Sequence, residues 1–193
     1  TIYDRDDQIS LVKRALKDLG VKPEGNLAPG KIIAVISRAK NDNIPPEGLR
    51  DSMMGPDVSV YEEAFRRYNG LMKAAGAFDF DDLLLKPVEM FGMDSEALGR
   101  WRERFTSILV DEYQDTNRVQ YQLVKLLCGP GANVTVVGDD DQSIYSWRGA
   151  DIRNILDFES EYKGVRTIRL ERNYRSTGSI IAAPEFDPGY ERC

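Results

Sequence analysis

Apolar residues recur at helical spacing through the first third of the chain. The first such stripe consists of Ile9, Val12, Leu16 and Leu19. Residues three and four apart share one face of a helix, so this stripe predicts an amphipathic helix that Asp4 would cap and Gly20 would end. Similar stripes predict helices over 31–40 and 61–75, and no alternating pattern typical of a strand occurs in this region. Residues 1–77 are therefore predicted to form an all-helical unit.

The pattern changes after Phe78. Helical spacing continues over 80–91, where Pro87 would interrupt or kink the helix, and over 95–105. Beyond these, short β-branched runs alternate with helical stretches, with strands at 107–110, 134–137 and 165–170 and helices at 117–127 and 151–162. Such alternation predicts an α/β fold with a parallel sheet and right-handed crossovers. Ligands bind at the carboxyl edge of such sheets, so the polar residues that follow each strand are candidate site residues.

The composition limits the function classes. The 193 residues are 41% hydrophobic, which suits one or two domains. The formal net charge of −6 and a pI near 4.9 argue against a surface that holds nucleic acid by overall basic charge. Two cysteines and no histidine exclude a disulfide framework and the usual Cys/His zinc sites, and they favour a reducing, cytoplasmic setting. The apolar runs are too short to span a membrane, so we expect no membrane partner.

The missing histidines also bear on catalysis. A general base in this chain would have to be a carboxylate or, less favourably, a Lys, Tyr or Cys. Attention therefore falls on the acidic residues at the strand ends.

Two adjacent carboxylates, Asp111 and Glu112, follow the first predicted strand. In a Walker B arrangement the first carboxylate helps to hold Mg²⁺ and the second orients or deprotonates the attacking water. An isolated Asp-Glu pair is more often a solvated strand end or a helix cap. Here residues 113–117 follow at once and add an amide, a third carboxylate and a capping Asn.

The second motif, GDDDQSIYSWRGA at 138–150, follows the next predicted strand. Gln142 could hydrogen-bond a terminal phosphate or its water. Tyr145, Trp147 and Arg148 offer two rings and a guanidinium on which single-stranded bases could stack. Two alternatives remain open: the aromatic rings could be packed beneath a loop, and the acidic run at 139–141 could be a solvated turn or a weak cation site.

The third motif, LERNYRST at 170–177, follows the last predicted strand. Arg175 could stabilise transition-state charge beside a phosphate cleft, and Tyr174 could stack on an adenine. Alternatively, arginines in this position form surface ion pairs or are solvated.

One further segment, GNLAPGKI at 25–32, matches part of a phosphate-binding loop. Ile32 replaces the Ser or Thr that would ligate Mg²⁺, no strand precedes the segment, and Pro29 lacks a backbone N–H donor. We therefore do not expect phosphate to bind there.

In their order and spacing, these motifs resemble motifs II, III and IV of the UvrD/Rep/PcrA class of superfamily 1 DNA helicases. The matching segments are 110–117, 138–150 and 173–177, joined upstream by FDFDDLL at 78–84 and by residues 1–8. The resemblance implies a helical inserted subdomain at 1–77. It also implies a partial RecA-like (P-loop NTPase) sheet, the later half of the first motor domain, at 78–178. Residues 179–193 would begin the next segment or form an unstructured or appended tail.

The resemblance also implies roles in ATP hydrolysis. Asp111 would bind Mg²⁺, and Glu112 would be the catalytic base. Gln142 and Arg175 would contact the γ-phosphate, and Tyr174 would stack on the adenine.

For DNA, the resemblance implies an ATP-dependent translocase that moves 3′ to 5′ along single strands in repair or replication. Tyr145, Trp147 and Arg148 would touch single-stranded DNA, and the whole helicase would also engage single-strand/duplex junctions. The chain resembles an internal fragment, because a phosphate loop and everything after motif IV are absent from it. We therefore expect the isolated chain to be inactive, to need the missing helicase segments as partners, and to self-associate through an exposed sheet edge.

Two other function classes stay open. The acidic residues 111, 112 and 139–141 could form a metal-dependent nuclease or phosphatase site. Alternatively, the chain could be a binding module without catalysis, in which residues 145–148 engage a single strand or a protein.

Overall fold

The computed structural model describes residues 1–129, 131–143, 149–162 and 164–181. These fall into two compact units, one from Thr1 to Phe158 and a second that begins at Glu159. The first unit starts with four helices, α1 (Arg5–Asp18), α2 (Pro29–Asn41), α3 (Leu49–Ser52) and α4 (Val58–Ala75). It continues with α5 (Asp82–Met93), α6 (Ser95–Arg104), β1 (Ser107–Val110), α7 (Arg118–Leu127), β2 (Asn133–Val136) and α8 (Arg153–Leu156).

The ends of the first helix match the prediction. The Asp4 carboxylate accepts hydrogen bonds from the backbone N–H groups of Asp6 and Asp7, and the Asp7 side chain accepts one from the backbone N–H of Asp4. This reciprocal capping box satisfies N–H groups that have no partner within the helix. Gly20, just after the C-cap, has a φ of 66°, which glycine adopts without a Cβ penalty. The predicted helices over 31–40 and 61–75 are confirmed as the cores of α2 and α4.

The apolar stripes of α1, α2 and α4 pack into one hydrophobic core. Its largest fully buried members include Val12, Leu16, Ile32, Ile33, Phe65 and Tyr68. The segment at 25–32 lies at the edge of this core: Gly25–Leu27 form a single 3₁₀ turn and α2 begins at Pro29. The Lys31 Nζ donates to the Asn26 Oδ1 at 3.2 Å, within the same segment. No strand precedes the segment among the described residues, in agreement with its rejection as a phosphate loop.

The second half of this unit is α/β, as predicted. β1 and β2 pair in parallel, with Val110 opposite Val136, and α7 forms the crossover between them. α5 runs through Pro87 as one element, so of the two predicted outcomes, an interruption or a kink, the interruption does not occur. Proline at this position removes only one helical hydrogen bond, and burial of Leu85, Val88 and Phe91 along the same face holds the helix.

Two predictions after β2 were wrong. The region 151–162 forms two short helices, α8 and α9 (Phe158–Glu161), instead of one. Residues 165–170 form no strand in the described part of the chain; there the side chains of Ile168 and Leu170 are 68% and 86% exposed. β-branched residues favour a strand chiefly through packing and ladder partners, and this segment has neither in the structure as described. The last helix, α10, spans Gly178–Ile181.

No helix in the described part of the chain is long and apolar enough to cross a membrane. Of the segment predicted at 179–193, residues 179–181 belong to α10 and the remainder lies outside the described residues.

A buried ion cluster joins α2 to the start of α5. The Lys40 Nζ lies 2.6 Å from the Asp79 Oδ2 and 2.9 Å from the Asp82 Oδ1, and all three side chains are almost fully buried. The Tyr68 hydroxyl donates to the same Asp79 oxygen at 2.9 Å. Burial by itself would raise the pKa of Asp79, but the Lys40 ammonium and the hydrogen bonds from Lys40, Asp82 and Tyr68 hold the pKa below its ordinary value.

Replacing Lys40 with Met should destabilise the chain by about 3–5 kcal/mol, because two buried carboxylates would lose their counter-ion. A carboxylate whose pKa is depressed by folding stabilises the native state above its unfolded pKa, and this contribution is lost as pH falls through the folded pKa. Lys40→Met should therefore cost most near neutral pH and less in acid. Denaturant unfolding at several pH values measures both effects.

The matched control is Lys86→Met, which removes an exposed ion pair to Glu89. An exposed pair contributes at most about 1 kcal/mol. Equal destabilisation by the two substitutions would contradict the role assigned to the buried cluster.

Candidate active site

The parallel register brings the first two motif loops to one edge of the sheet. The backbone N–H of Val137 donates to the Val110 carbonyl at 2.8 Å, and the N–H of Tyr113 donates to the Val137 carbonyl at 2.9 Å. The chain leaving β1 is thus hydrogen-bonded to the chain leaving β2. The residues after both strands are held next to each other at the carboxyl edge, as the sequence predicts.

Asp111 and Glu112 form a tight turn at this edge. Glu112 has φ 50° and ψ 43°, the left-handed region that non-glycine residues rarely adopt. Such a conformation costs on the order of 1 kcal/mol and persists only where surrounding structure enforces it. The Asp111 Oδ1 accepts a hydrogen bond from the Glu112 N–H at 2.9 Å, and both side chains are exposed. Two carboxylates are therefore open to a ligand at the end of β1.

Gln114 connects this turn to the second loop. Its Nε2 donates to the Glu112 Oε2 at 2.8 Å, and its Oε1 accepts from the Asp139 N–H at 3.1 Å. The Gln114 residue is 1% exposed, so its amide is a buried link between an open carboxylate and the next loop.

The second loop is organised around Asp139. The Gln142 Nε2 donates to the Asp139 Oδ2 at 2.6 Å, and the Asp141 N–H donates to the other oxygen at 3.1 Å. Gln142 is exposed on the same loop. The structure therefore links Asp111, Glu112 and Gln142 through one continuous set of hydrogen bonds.

Buried groups support the turn from below. Tyr113 is fully buried and meets Phe158 edge to face, with 5.6 Å between ring centroids. The Thr116 hydroxyl donates to the Tyr113 carbonyl at 2.7 Å, and the Asn154 amide donates to the Thr116 carbonyl at 3.0 Å. Asn117 caps α7 in a capping box with Gln120, which confirms the predicted cap. The strained turn is thus followed on its C-terminal side by a buried segment that is held by hydrogen bonds.

Asn117 also joins the site to the end of α2. Its Nδ2 donates to the Asn41 Oδ1 at 2.6 Å, and the Asn41 Nδ2 donates to the Asp81 Oδ1 at 3.1 Å. Burial raises the pKa of Asp81, although the hydrogen bonds from Ser37 and Asn41 oppose this shift.

The remaining predicted site residues are not brought to this edge by any described contact. Tyr174 and Arg175 belong to the second unit, where both are exposed and the Asn173 Oδ1 accepts from the backbone N–H groups of Arg175 and Ser176. Tyr145, Trp147 and Arg148 lie outside the described residues.

The donor set fits a nucleotide-associated Mg²⁺. This ion prefers oxygen ligands and is usually held by one or two carboxylates together with substrate phosphates. Asp111 and Glu112 offer such oxygens in the open. Among the described residues no group of three or more Asp, Glu, Cys or His could enclose a metal ion, so the acidic cluster required by the nuclease alternative is not seen there.

Comparison with known proteins identifies the family. Residues 1–163 match the model of the UvrD/REP helicase N-terminal domain. The chain is 41% identical over 182 residues to the DNA helicase II of Salmonella typhimurium, covering 94% of this chain and 25% of that protein. It is 40% identical over 183 residues to the ATP-dependent DNA helicase Rep of Escherichia coli, covering 95% and 27%. It is 43% identical over 183 residues to the ATP-dependent DNA helicase PcrA of Bacillus subtilis, covering 95% and 25%.

This chain belongs to the UvrD/Rep family of helicases, as its motifs indicate. It spans about a quarter of the length of the curated relatives that it matches.

Gln114 and Gly138 both lie within the motifs, but the sequence did not show that they contact each other. A Cβ added to Gly138 would lie 2.5 Å from the Gln114 Oε1 and 2.7 Å from the Ile155 Cδ1. A glycine directly after a strand was the available signal, but it does not show which side chain occupies the space.

Gly138→Ala should therefore destabilise the chain by about 1–3 kcal/mol, because the new methyl group must displace buried neighbours. The same substitution at Gly99 inside α6, where a Cβ meets nothing within 4 Å, should stabilise by roughly 0.5–1 kcal/mol. Chemical denaturation of both variants measures the contrast. The close approach at Gly138 would be disproved by equal, stabilising effects at both positions.

Proposed function

We propose that this chain is part of an ATP-driven DNA helicase motor that moves 3′ to 5′ along single-stranded DNA. One observation carries the proposal: the open carboxylates of Asp111 and Glu112 are joined through Gln114 to the loop that carries Gln142. A carboxylate pair and a glutamine held together at the edge of a parallel sheet suit the hydrolysis of a terminal phosphate. The named activities of the relatives, ATP-dependent DNA helicases, support the same conclusion.

Each residue has a distinct task in this proposal. Glu112 accepts a proton from the attacking water, since the chain has no histidine and a carboxylate is the most favourable base among its residues. Asp111 would hold the Mg²⁺ that accompanies ATP, and this ion would neutralise charge on the phosphate oxygens. By the family resemblance, Gln142 and Arg175 would contact the γ-phosphate and Tyr174 would stack on the adenine.

The division of labour along the chain follows the family resemblance. Residues 1–77 form the inserted helical subdomain, and 78–178 form the later half of the first RecA-like motor domain. The partial match at 25–32 carries Ile32 in place of the Ser or Thr that would ligate Mg²⁺, and no strand precedes it among the described residues, so it would not serve as a phosphate loop. The chain alone therefore neither hydrolyses ATP at a useful rate nor unwinds DNA, and its partners include the other segments of the helicase motor.

The exposed face of the small sheet bears on association. Leu109 on β1 is 72% exposed and Val137 after β2 is 44% exposed. Apolar side chains beside an open sheet edge favour pairing with another copy, so we propose that the chain self-associates through that edge; a sedimenting mass that stays that of the monomer at all concentrations would contradict this. A cytoplasmic location and a role in DNA repair or replication stay predictions.

Glu112→Gln in the complete product of the gene should reduce DNA-stimulated ATP hydrolysis by about 10²–10⁴-fold, because the amide cannot accept the proton. Glu103→Gln on the exposed surface of α6 is the matched control and should leave the rate unchanged. The 193-residue chain should be inactive in the same assay. Substantial Glu112-dependent hydrolysis by this chain alone would contradict the proposed division of the motor.

Trp147→Ala should weaken single-stranded DNA binding roughly 5- to 150-fold, the equivalent of about 1–3 kcal/mol for one stacked base. The other tryptophan, Trp101, stacks on Phe105 in α6 and provides the matched control. Fluorescence anisotropy with a labelled oligonucleotide at fixed salt measures both variants. If both substitutions weaken binding, or neither does, Trp147 is not the residue on which a base stacks.

A further inference from the structure

The side-chain amide of Gln114 makes hydrogen bonds through both its nitrogen and its oxygen. Its N–H group donates to the Glu112 carboxylate at 2.8 Å, and its oxygen accepts the backbone N–H of Asp139 at 3.1 Å. Only 1% of this residue is exposed. A buried amide costs free energy unless its donors and its acceptor find partners, so this placement is specific.

The orientation of this amide follows from its partners. Rotation by 180° would place the amide oxygen against the Glu112 carboxylate and the amide N–H groups against the Asp139 N–H. Both contacts would be repulsive. A glutamate at position 114 would likewise face the Glu112 carboxylate with negative charge, and a methionine would offer neither a strong donor nor a strong acceptor.

The link continues beyond Asp139. The Asp139 Oδ2 accepts a hydrogen bond from the Gln142 Nε2 at 2.6 Å. The hydrogen bonds therefore run from Gln142 through Asp139 and Gln114 to Glu112. This series begins at an exposed amide on one loop and ends at an exposed carboxylate on the other.

The second loop leaves little space beside the buried amide. A Cβ added to Gly138 would lie 2.5 Å from the Gln114 Oε1. A displacement of residues 138–139 therefore either breaks the hydrogen bond from the Asp139 N–H to Gln114 or moves the amide with the loop.

We propose that Gln114 is a positioning residue that fixes the orientation of the Glu112 carboxylate and couples it to the loop that carries Gln142. When Gln142 leaves Asp139 for a phosphate group, the change reaches Glu112 through Asp139 and Gln114. The Glu112 carboxylate is then aligned only while the second loop is in the position that keeps Asp139 hydrogen-bonded to Gln114. This inference rests on the proposed function for its catalytic meaning, but the coupling itself is a property of this chain.

The first test leaves every buried residue in place and uses the 193-residue chain without nucleotide. Glu112→Ala removes the carboxylate partner of the Gln114 amide. In ¹H–¹⁵N spectra the side-chain amide resonances of Gln114 should shift, while those of Gln122 in α7, whose Oε1 accepts a hydrogen bond from Asn43, should not. Unchanged Gln114 resonances would overturn the proposal.

The second test removes the amide. Gln114→Met should speed hydrogen exchange at the Asp139 N–H by about tenfold or more, because the acceptor of this N–H is lost. Gln122→Met is the matched control and should leave that exchange rate unchanged. Equal exchange in wild type and Gln114→Met would overturn the link to Asp139.

The third test addresses catalysis in the complete gene product. Gln114→Met should lower kcat for ATP hydrolysis at least tenfold while the KM for ATP changes less than threefold. Gln142→Ala should lower kcat much less in the Gln114→Met background than in the wild-type protein. A Glu112-dependent ATPase that tolerates Gln114→Met would overturn this inference and leave the proposed function intact. An ATPase insensitive to Glu112→Gln would instead remove the proposed function, while the spectroscopic coupling would still stand.

Discussion

The parallel pairing of β1 with β2 is the constraint on which the candidate site depends. Because Val110 lies opposite Val136, the loops after both strands leave the sheet at the same edge. Two backbone hydrogen bonds, from Val137 to Val110 and from Tyr113 to Val137, then hold these loops together. Without this register, Asp111 and Glu112 would be surface carboxylates with no relation to Gln142.

Within that frame, the geometry of the site depends on buried groups that do not react. The left-handed conformation of Glu112 is unfavourable for a glutamate, and the surrounding contacts must therefore enforce it. Gln114 holds the carboxylate from one side, and Gly138 leaves the space that this amide needs. The Glu112 carboxylate is thus held by a buried amide, which limits how far it can reorganise when a ligand arrives.

The helical half is connected to the site by polar contacts as well as by apolar packing. Lys40, Asp79 and Asp82 form a buried ion cluster in which both carboxylates depend on one ammonium. The neighbouring Asn41 reaches Asn117, the residue that caps α7 directly after the candidate catalytic turn. Buried polar contacts tolerate misplacement poorly, so they fix the arrangement of the helical residues against the α/β residues more strictly than apolar contacts would.

The sequence by itself determined most of the local helices and selected the candidate site residues. Helical periodicity and capping residues such as Asp4 and Asn117 specify α1 and α7, because hydrogen bonds within a few residues decide where a helix begins. The order of the motifs indicated the family and selected Asp111, Glu112 and Gln142 as candidate residues. Tertiary structure decided what local pattern cannot contain. It left 165–170 without a strand, because a strand needs partners, and it carried α5 through Pro87, because burial of one face outweighs one lost hydrogen bond. It also gave Gln114 and Gly138 their roles, because contacts between residues 25 positions apart depend on the packing of the sheet and not on the neighbouring sequence.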